Sequence, residues 1–199
     1  MNTTFKRNAA YTAIILLVAA VTQAVYTGLY IAKADVPRQL LWGAEGFLFV
    51  MLGAFAGAAL AQAKSAHLGW SAIFGAAILN VVQVGVGLTM FGPFREVAEA
   101  VPEAAPAAAA IVAFSFMVYN AAKVLLALAA IVFGMSKMNA GSKALGGLTA
   151  LIGAIAFVAN ALSMALGRGF SGDLPVAGAS GVLATVLLAV CLFGASDEE

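Results

Sequence analysis

Two residues in this chain carry formal charge inside oil-like sequence: Glu45, in LWGAEGFLFVMLG, and Lys123, in MVYNAAKVLLALAAI. An ionisable group at the centre of an apolar span costs about 2.5–3.5 kcal/mol on insertion scales, so its default reading is functional. A carboxylate and an ammonium at such depth can bind a small polar or charged solute, or they can neutralise each other. Helical side chains tilt toward the N-terminus, and the long lysine stem lets its head travel. Lys123 can therefore approach the level of Glu45, which lies roughly 9 Å to the outer side of its span's midpoint by helical rise. A Glu45–Lys123 pair requires the two helices to be neighbours.

Uncharged polar residues fall at similar depths. Gln23, Tyr26 and Tyr30 are spaced i, i+3, i+7. Asn80 and Gln83 share a helical face with Gly87, Tyr119 and Lys123 are i, i+4, Asn120 adjoins them, and Asn160 lies in the outer half of the fifth apolar stretch. The inner halves read as Ala, Leu, Val, Ile and Gly. This distribution predicts a polar cavity opening toward the outside, with Glu45, Lys123, Asn120, Tyr119, Asn80, Gln83, Gln23, Tyr26 and Asn160 as candidate ligand-binding residues. The competing reading is structural: Asn and Gln side chains commonly hydrogen-bond between membrane helices and hold a bundle together. Tyr26 and Tyr30 also suit an aromatic interface belt, a role expected for Trp42 and Trp70.

Other chemistries lack their groups. His67 is the sole histidine and Cys191 the sole cysteine, so haem, iron–sulfur and zinc sites are short of ligands and an internal disulfide is excluded. No metal and no cofactor are expected. Ser115, Ser163 and Ser180 lie in apolar stretches, with His67 placed at the inner surface; a Ser–Lys dyad using Lys123 is the remaining nucleophilic arrangement. The loop Gly169-Phe170-Ser171-Gly172-Asp173 lacks the Lys-Ser/Thr ending of a phosphate loop and reads as a turn. The expectation is a protein that is not an enzyme.

The elements that must position these residues follow from composition. Of 199 residues, 63% are hydrophobic and 10% charged, with a mean hydropathy of +1.02. Soluble domains carry about 25% charge, so an ordinary soluble fold, disorder and a nucleic-acid partner are excluded. Apolar stretches at 10–32, 39–62, 68–92, 107–134, 143–166 and 175–195 each reach the ~20 residues a helix needs to cross a bilayer. They are continuously apolar, whereas barrel strands alternate. The fold class is thus all-α: a polytopic membrane protein, one transmembrane domain over 1–199, six helices in a compact bundle with short loops.

Lys6 and Arg7 before the first stretch, and Ala32-Lys33-Ala34 after it, resemble a secretion signal. The apolar run is longer than a signal core, and a retained helix is expected. Turns are expected at Asp35-Val36-Pro37, at 63–67, at Asn139 to Gly141 and at Gly167 to Leu174. Between Phe91 and Pro106 the spacing suggests a short interfacial helix, Phe94 to Val101. The terminal side would hold Lys6, Arg7, Lys64, Lys137 and Lys143, five cations against Lys33, Arg38, Arg95 and Arg168. By the positive-inside rule both termini are expected in the cytoplasm, most simply of a bacterial cytoplasmic membrane.

Gly53 and Gly57 form a GxxxG, and Gly146 with Gly153 keeps a heptad interval, both favouring close helix approach. In size and span number the chain is similar to substrate-capture subunits of energy-coupling-factor transporters. That resemblance implies partner contact through alanine-spaced helices, which Ala9/Ala13 and Ala20/Ala24 would provide. The spacing is unspecific in so Ala-rich a chain, and no family is assigned on it. The expected function is a small-solute transporter, channel or substrate-capture subunit. The alternatives are a non-transporting accessory or assembly subunit, and a binder of a lipophilic ligand such as a quinone. Expected partners are the lipid bilayer, a small polar or charged solute, and a second copy or a partner membrane subunit.

Overall fold

The computed structural model describes residues 4–32, 34, 39–167 and 175–195. The turn at Asp35-Val36-Pro37, the cations Lys33, Arg38 and Arg168, the glycine-rich loop 169–173 and the side chain of Tyr30 lie outside the described residues. Six helices run up and down: α1 (Phe5–Ile31), α2 (Gln39–Gln62), α3 (His67–Ala100), α4 (Ala105–Asn139), α5 (Lys143–Leu166) and α6 (Val176–Phe193). All six are long and apolar enough to cross a membrane. The chain is a multi-pass helical membrane protein.

Neighbour relations give the bundle its plan. α1 packs between α2 and α6, α3 joins α2 to α4, and α4 closes back onto α6. Five helices therefore form a ring, α1–α2–α3–α4–α6, and α5 sits outside it in the groove between α4 and α6. Among the described residues α2 has no Cα within 8 Å of α4, and α1 none within 8 Å of α3 or α4. Side chains alone fill the centre of the ring. At the end that carries both termini (the terminal end) the filling is aromatic. Trp70 is 1% exposed and meets Phe5 and Phe133 edge-on, with ring centroids 5.6 and 5.2 Å away.

Trp70 is thus core, where an interface belt was expected. The neighbouring helices present Ala9 and Ala13 of α1 and Ala130 of α4 inward; such small residues leave a space that one indole fills. The same burial bears on the alanine pairs. Ala9, Ala13 and Ala20 face the chain's own interior, and only Ala24 of the four is exposed. They cannot serve as an outer docking stripe while the bundle is closed.

The tightest helix approach is the α4–α5 seam. A Cβ on Gly134 would stand 2.7 Å from the Ala150 nitrogen, and one on Gly146 2.6 Å from the Met138 nitrogen. Gly153 faces the Ala127 carbonyl oxygen at 3.0 Å on the same reckoning. The Gly146/Gly153 interval therefore marks a seam where backbones nearly touch. Gly53 and Gly57 line the α2–α3 contact more loosely, their nearest neighbours being the Ala77 and Phe74 side chains at 3.7 and 3.3 Å.

Helix limits depart from the apolar stretches at two places. α1 begins at Phe5, which brings Asn8 inside the bundle. α3 runs on through Pro93 to Ala100 as one helix, so Phe94 to Val101 is mostly its last turns. Proline removes the bond to the Thr89 carbonyl, but Thr89 and Pro93 are both exposed near the membrane exit, where water can take that carbonyl. With 34 residues α3 is about 51 Å long against ~30 Å of hydrocarbon. It and α4 project beyond the other helices at the end opposite the termini (the far end), joined by a 3₁₀ turn, Pro102–Ala104. The Arg95–Glu99 pair, 2.8 Å, lies on this projection.

Candidate functional site

The outward faces of the ring helices are large and apolar: Val18, Val21 and Val25 on α1, Leu40, Phe47 and Val50 on α2, Phe114 and Met117 on α4. Turning these to lipid forces the opposite faces inward. On α2 the buried face is Glu45, Phe49, Leu52, Ala56 and Ala59, so Glu45 occupies the same helical line as the core. On α4 it includes Ser115, Val118, Ala122, Lys123 and Leu126. Gln23 follows Leu16, Ala19 and Ala20 on the inner face of α1. The patterning thus delivers an acid, a cation and an amide to the far half of one central space.

Lys123 is 1% exposed and Glu45 6%. The lysine stem crosses the bundle over Gly181 of α6, whose absent side chain leaves room: a Cβ there would lie 3.3 Å from Lys123 Cδ. Its ammonium donates to Gln23 Oε1 on α1 and stands 5.4 Å from the centroid of the Tyr119 ring. Thr22 of α1 neighbours the Glu45 carboxylate, although its hydroxyl donates to Ala19 O of its own helix at 3.0 Å. Tyr119 in turn interacts electrostatically with Glu45 and Tyr26. Glu45 and Lys123 feel each other's charge yet form no ion pair within 4.0 Å, Arg95–Glu99 being the only such pair among the described residues. Glu45 Oε1 has no hydrogen-bond partner.

The anticipated route to a Glu45–Lys123 pair needed adjacent helices. α2 and α4 instead face each other across the ring, and the reach is made by side chains. Gln23 of α1 accepts the hydrogen bond from the Lys123 ammonium that a direct pair would have given to Glu45.

The nine candidates separate into four groups. Gln23, Tyr26, Glu45, Tyr119 and Lys123 come together. Asn160 adjoins this cluster, its Nδ2 lying 3.6 Å from where a Gly181 Cβ would stand; it donates to Ala156 O of its own helix and to Ala177 O of α6, at 2.8 and 3.3 Å. Gln83 joins α3 to α4 through Ser115 Oγ at 3.4 Å. Asn80 and Asn120 donate back to their own helices, to Ala76 O at 2.9 Å and Phe116 O at 2.7 Å. Those bonds do not cross between helices, so they do not supply the interhelical lock that the competing structural reading calls for. Asn80 Oδ1 and Asn160 Oδ1 are buried without partners.

A hollow of about 1080 Å³ opens at the far end above this cluster. Trp42, Gly87, Phe91, Arg95, Ala108 and Val112 are among its walls. Val112 is two turns from Tyr119 on α4, and Trp42 is one turn from Glu45 on α2, so the hollow and the cluster share helical faces. Trp42 lies between Tyr26 (6.1 Å between centroids) and Phe91 (5.6 Å), with its indole 3.3 Å from a Cβ position on Gly87. Unlike Trp70 it is only half-buried, packed against the core at the far end. Neither Glu45 nor Lys123 lines the hollow; Trp42 and Phe91, which do, pack with Tyr26 as an aromatic layer.

Some residues of interest were not among the candidates. Thr22 neighbours Gln23 and is i−4 to Tyr26, a spacing that would have placed it on the face of the stripe. Gly181 carries no sequence signal for its role under the lysine stem. In the terminal half, Asn8 and Thr12 are fully buried, and Asn8 Nδ2 donates to Gln62 Oε1 at 3.0 Å. The inner zone is therefore not purely apolar, a consequence of α1 starting at Phe5. Among the described residues no serine is hydrogen-bonded to Lys123: Ser115 bonds Gln83 and Ser180 bonds Val176 O. No family model, no curated protein and no solved structure matches the chain.

Proposed function

We propose that this chain is a small-solute carrier or capture protein of a bacterial cytoplasmic membrane, with both termini in the cytoplasm. The solute enters the hollow at the far, external end and passes the Trp42 layer. It is held by Glu45, Lys123, Gln23 and Tyr119. The observation that carries this reading is the buried acid and cation facing each other without pairing. Two charges placed in a low-dielectric interior are costly unless something compensates them. A pair whose task was to fasten helices would close to contact, as Arg95 and Glu99 do on the surface. Asn80 and Asn120 support the same reading, because their donor bonds hold no helices together. The Lys/Arg excess on the terminal side supports the orientation. No catalytic step is assigned to the site.

The test uses purified protein in nanodiscs and in proteoliposomes, with a panel of amino acids, sugars, polyols, short amines and short carboxylates. At least one solute should raise the melting temperature or accumulate in the vesicles. Glu45→Gln and Lys123→Met should each lose that response while remaining monodisperse. If both variants keep the full response, the site lies elsewhere. If no solute acts on the wild type and both variants simply melt lower, the charges are structural and the transport reading is wrong.

A further inference from the structure

The charges in the cluster also indicate what kind of solute fits. Resting on the solute-binding reading above, we propose that the ligand is a small zwitterion, its ammonium held by Glu45 and its carboxylate by Lys123. One carboxylate and one ammonium make the site neutral as built, and among the described residues the partners around it, Gln23, Thr22, Tyr26 and Tyr119, carry no formal charge. A ligand with net charge would leave that charge uncompensated in an oil-like interior, which is strongly unfavourable. A net-neutral ligand avoids this.

Among neutral ligands, the geometry favours a dipolar one. Glu45 and Lys123 come from helices on opposite sides of the ring and are more than 4.0 Å apart. Glu45 Oε1 lacks any partner, and the lysine ammonium has three donors of which Gln23 takes one. Each charge thus keeps unused capacity of the sign that the opposite pole of a zwitterion satisfies. Placed between them head to tail, such a ligand replaces one stretched attraction with two charge-assisted hydrogen bonds. The approach suits an ammonium as well. The layer above Glu45 is Tyr26, Trp42 and Phe91, and aromatic faces attract cations.

Isothermal titration of the nanodisc-embedded protein with chain-length series of three probe classes tests this: ω-amino acids from glycine upward, the matching n-alkylamines, and the matching n-alkylcarboxylates. One ω-amino acid, chosen by its charge separation, should bind at least about tenfold tighter than the amine and the carboxylate of its own length, because each analogue leaves one buried charge unmet. Glu45→Gln should lose that preference and favour the carboxylate; Lys123→Met should lose it and favour the amine. The comparison of probes on the wild type stands even if a variant fails to fold. An amine or carboxylate that binds as tightly as the amino acid overturns the zwitterion assignment and leaves a charged-solute site. A sugar or polyol that responds in the wider panel, with no amino acid binding, overturns it too, while the solute-binding reading survives.

Discussion

Gln23 is the residue on which the cluster turns, because among the described residues it is the only side chain hydrogen-bonded to the buried ammonium of Lys123. Replacing it with Leu leaves a charged donor in an apolar surrounding, which costs about 1–3 kcal/mol. We expect Gln23→Leu to lower the thermal midpoint in detergent, and Gln23→Glu, which keeps the acceptor, to recover most of the loss. Asn80 should behave in the opposite sense. Its donor already bonds its own helix and its Oδ1 has no partner, so Asn80→Leu removes an unmet polar group without breaking an interhelical bond. Its midpoint should hold or rise; a fall of several degrees would show that Asn80 ties helices together after all. The contrast between these residues was only half legible in sequence. That Gln23, Glu45 and Tyr119 lie in the outer half of their spans, within reach of the Lys123 stem, follows from counting residues along apolar runs. That Asn80 and Asn120 turn back on their own carbonyls does not, since an amide in lipid has several carbonyls in reach and the rotamer decides among them.

Elements reveal a similar division. The six spans follow from hydropathy because a lipid surround requires each segment to satisfy its own backbone. The continuation of α3 through Pro93 does not follow, because proline ordinarily stops a helix and only the exposed position of the orphaned Thr89 carbonyl makes it tolerable here. Which glycines mattered was equally hidden: the GxxxG of α2 is the familiar pattern, yet the close seam is Gly134 against Gly146. Gly146→Val should force α4 and α5 apart, and overpacking of this kind costs about 1–3 kcal/mol. Gly53→Ala, whose Cβ would have 3.7 Å to its nearest neighbour, should be nearly silent in the same melting assay. At the turn into α3, Ala66 holds φ at 52°, a left-handed conformation that disfavours a side chain by about 1–2 kcal/mol. Ala66→Gly relieves the steric part and loosens the unfolded chain, so a small net rise in midpoint is expected; a clear drop would mean the turn relies on alanine's stiffness.

At the scale of the whole molecule, the ring of five helices is filled differently at its two ends. Trp70, Phe5 and Phe133 close the terminal half, while the far half holds the charged cluster under a hollow of about 1080 Å³. On the proposed reading the solute enters from the far side and first meets Trp42, which packs against Gly87 between Tyr26 and Phe91. If Trp42 is the barrier, its removal should expose the cluster without unfolding anything. In a Cys191→Ser background, Tyr119→Cys reports the cluster and Ala108→Cys reports the hollow to a membrane-impermeant thiol reagent added at the far face. A closed layer that opens only in a minor conformation leaves the cluster reactive a small part of the time, so Trp42→Ala should speed labelling at position 119 by about tenfold or more. Labelling at position 108 should be fast in both backgrounds, because the hollow is open whether or not the indole is present. Rapid labelling at position 119 with Trp42 intact would mean water already reaches the cluster. Slow labelling without it would place the seal deeper, at the Tyr119–Gln23 level, where Lys123 itself crosses the ring.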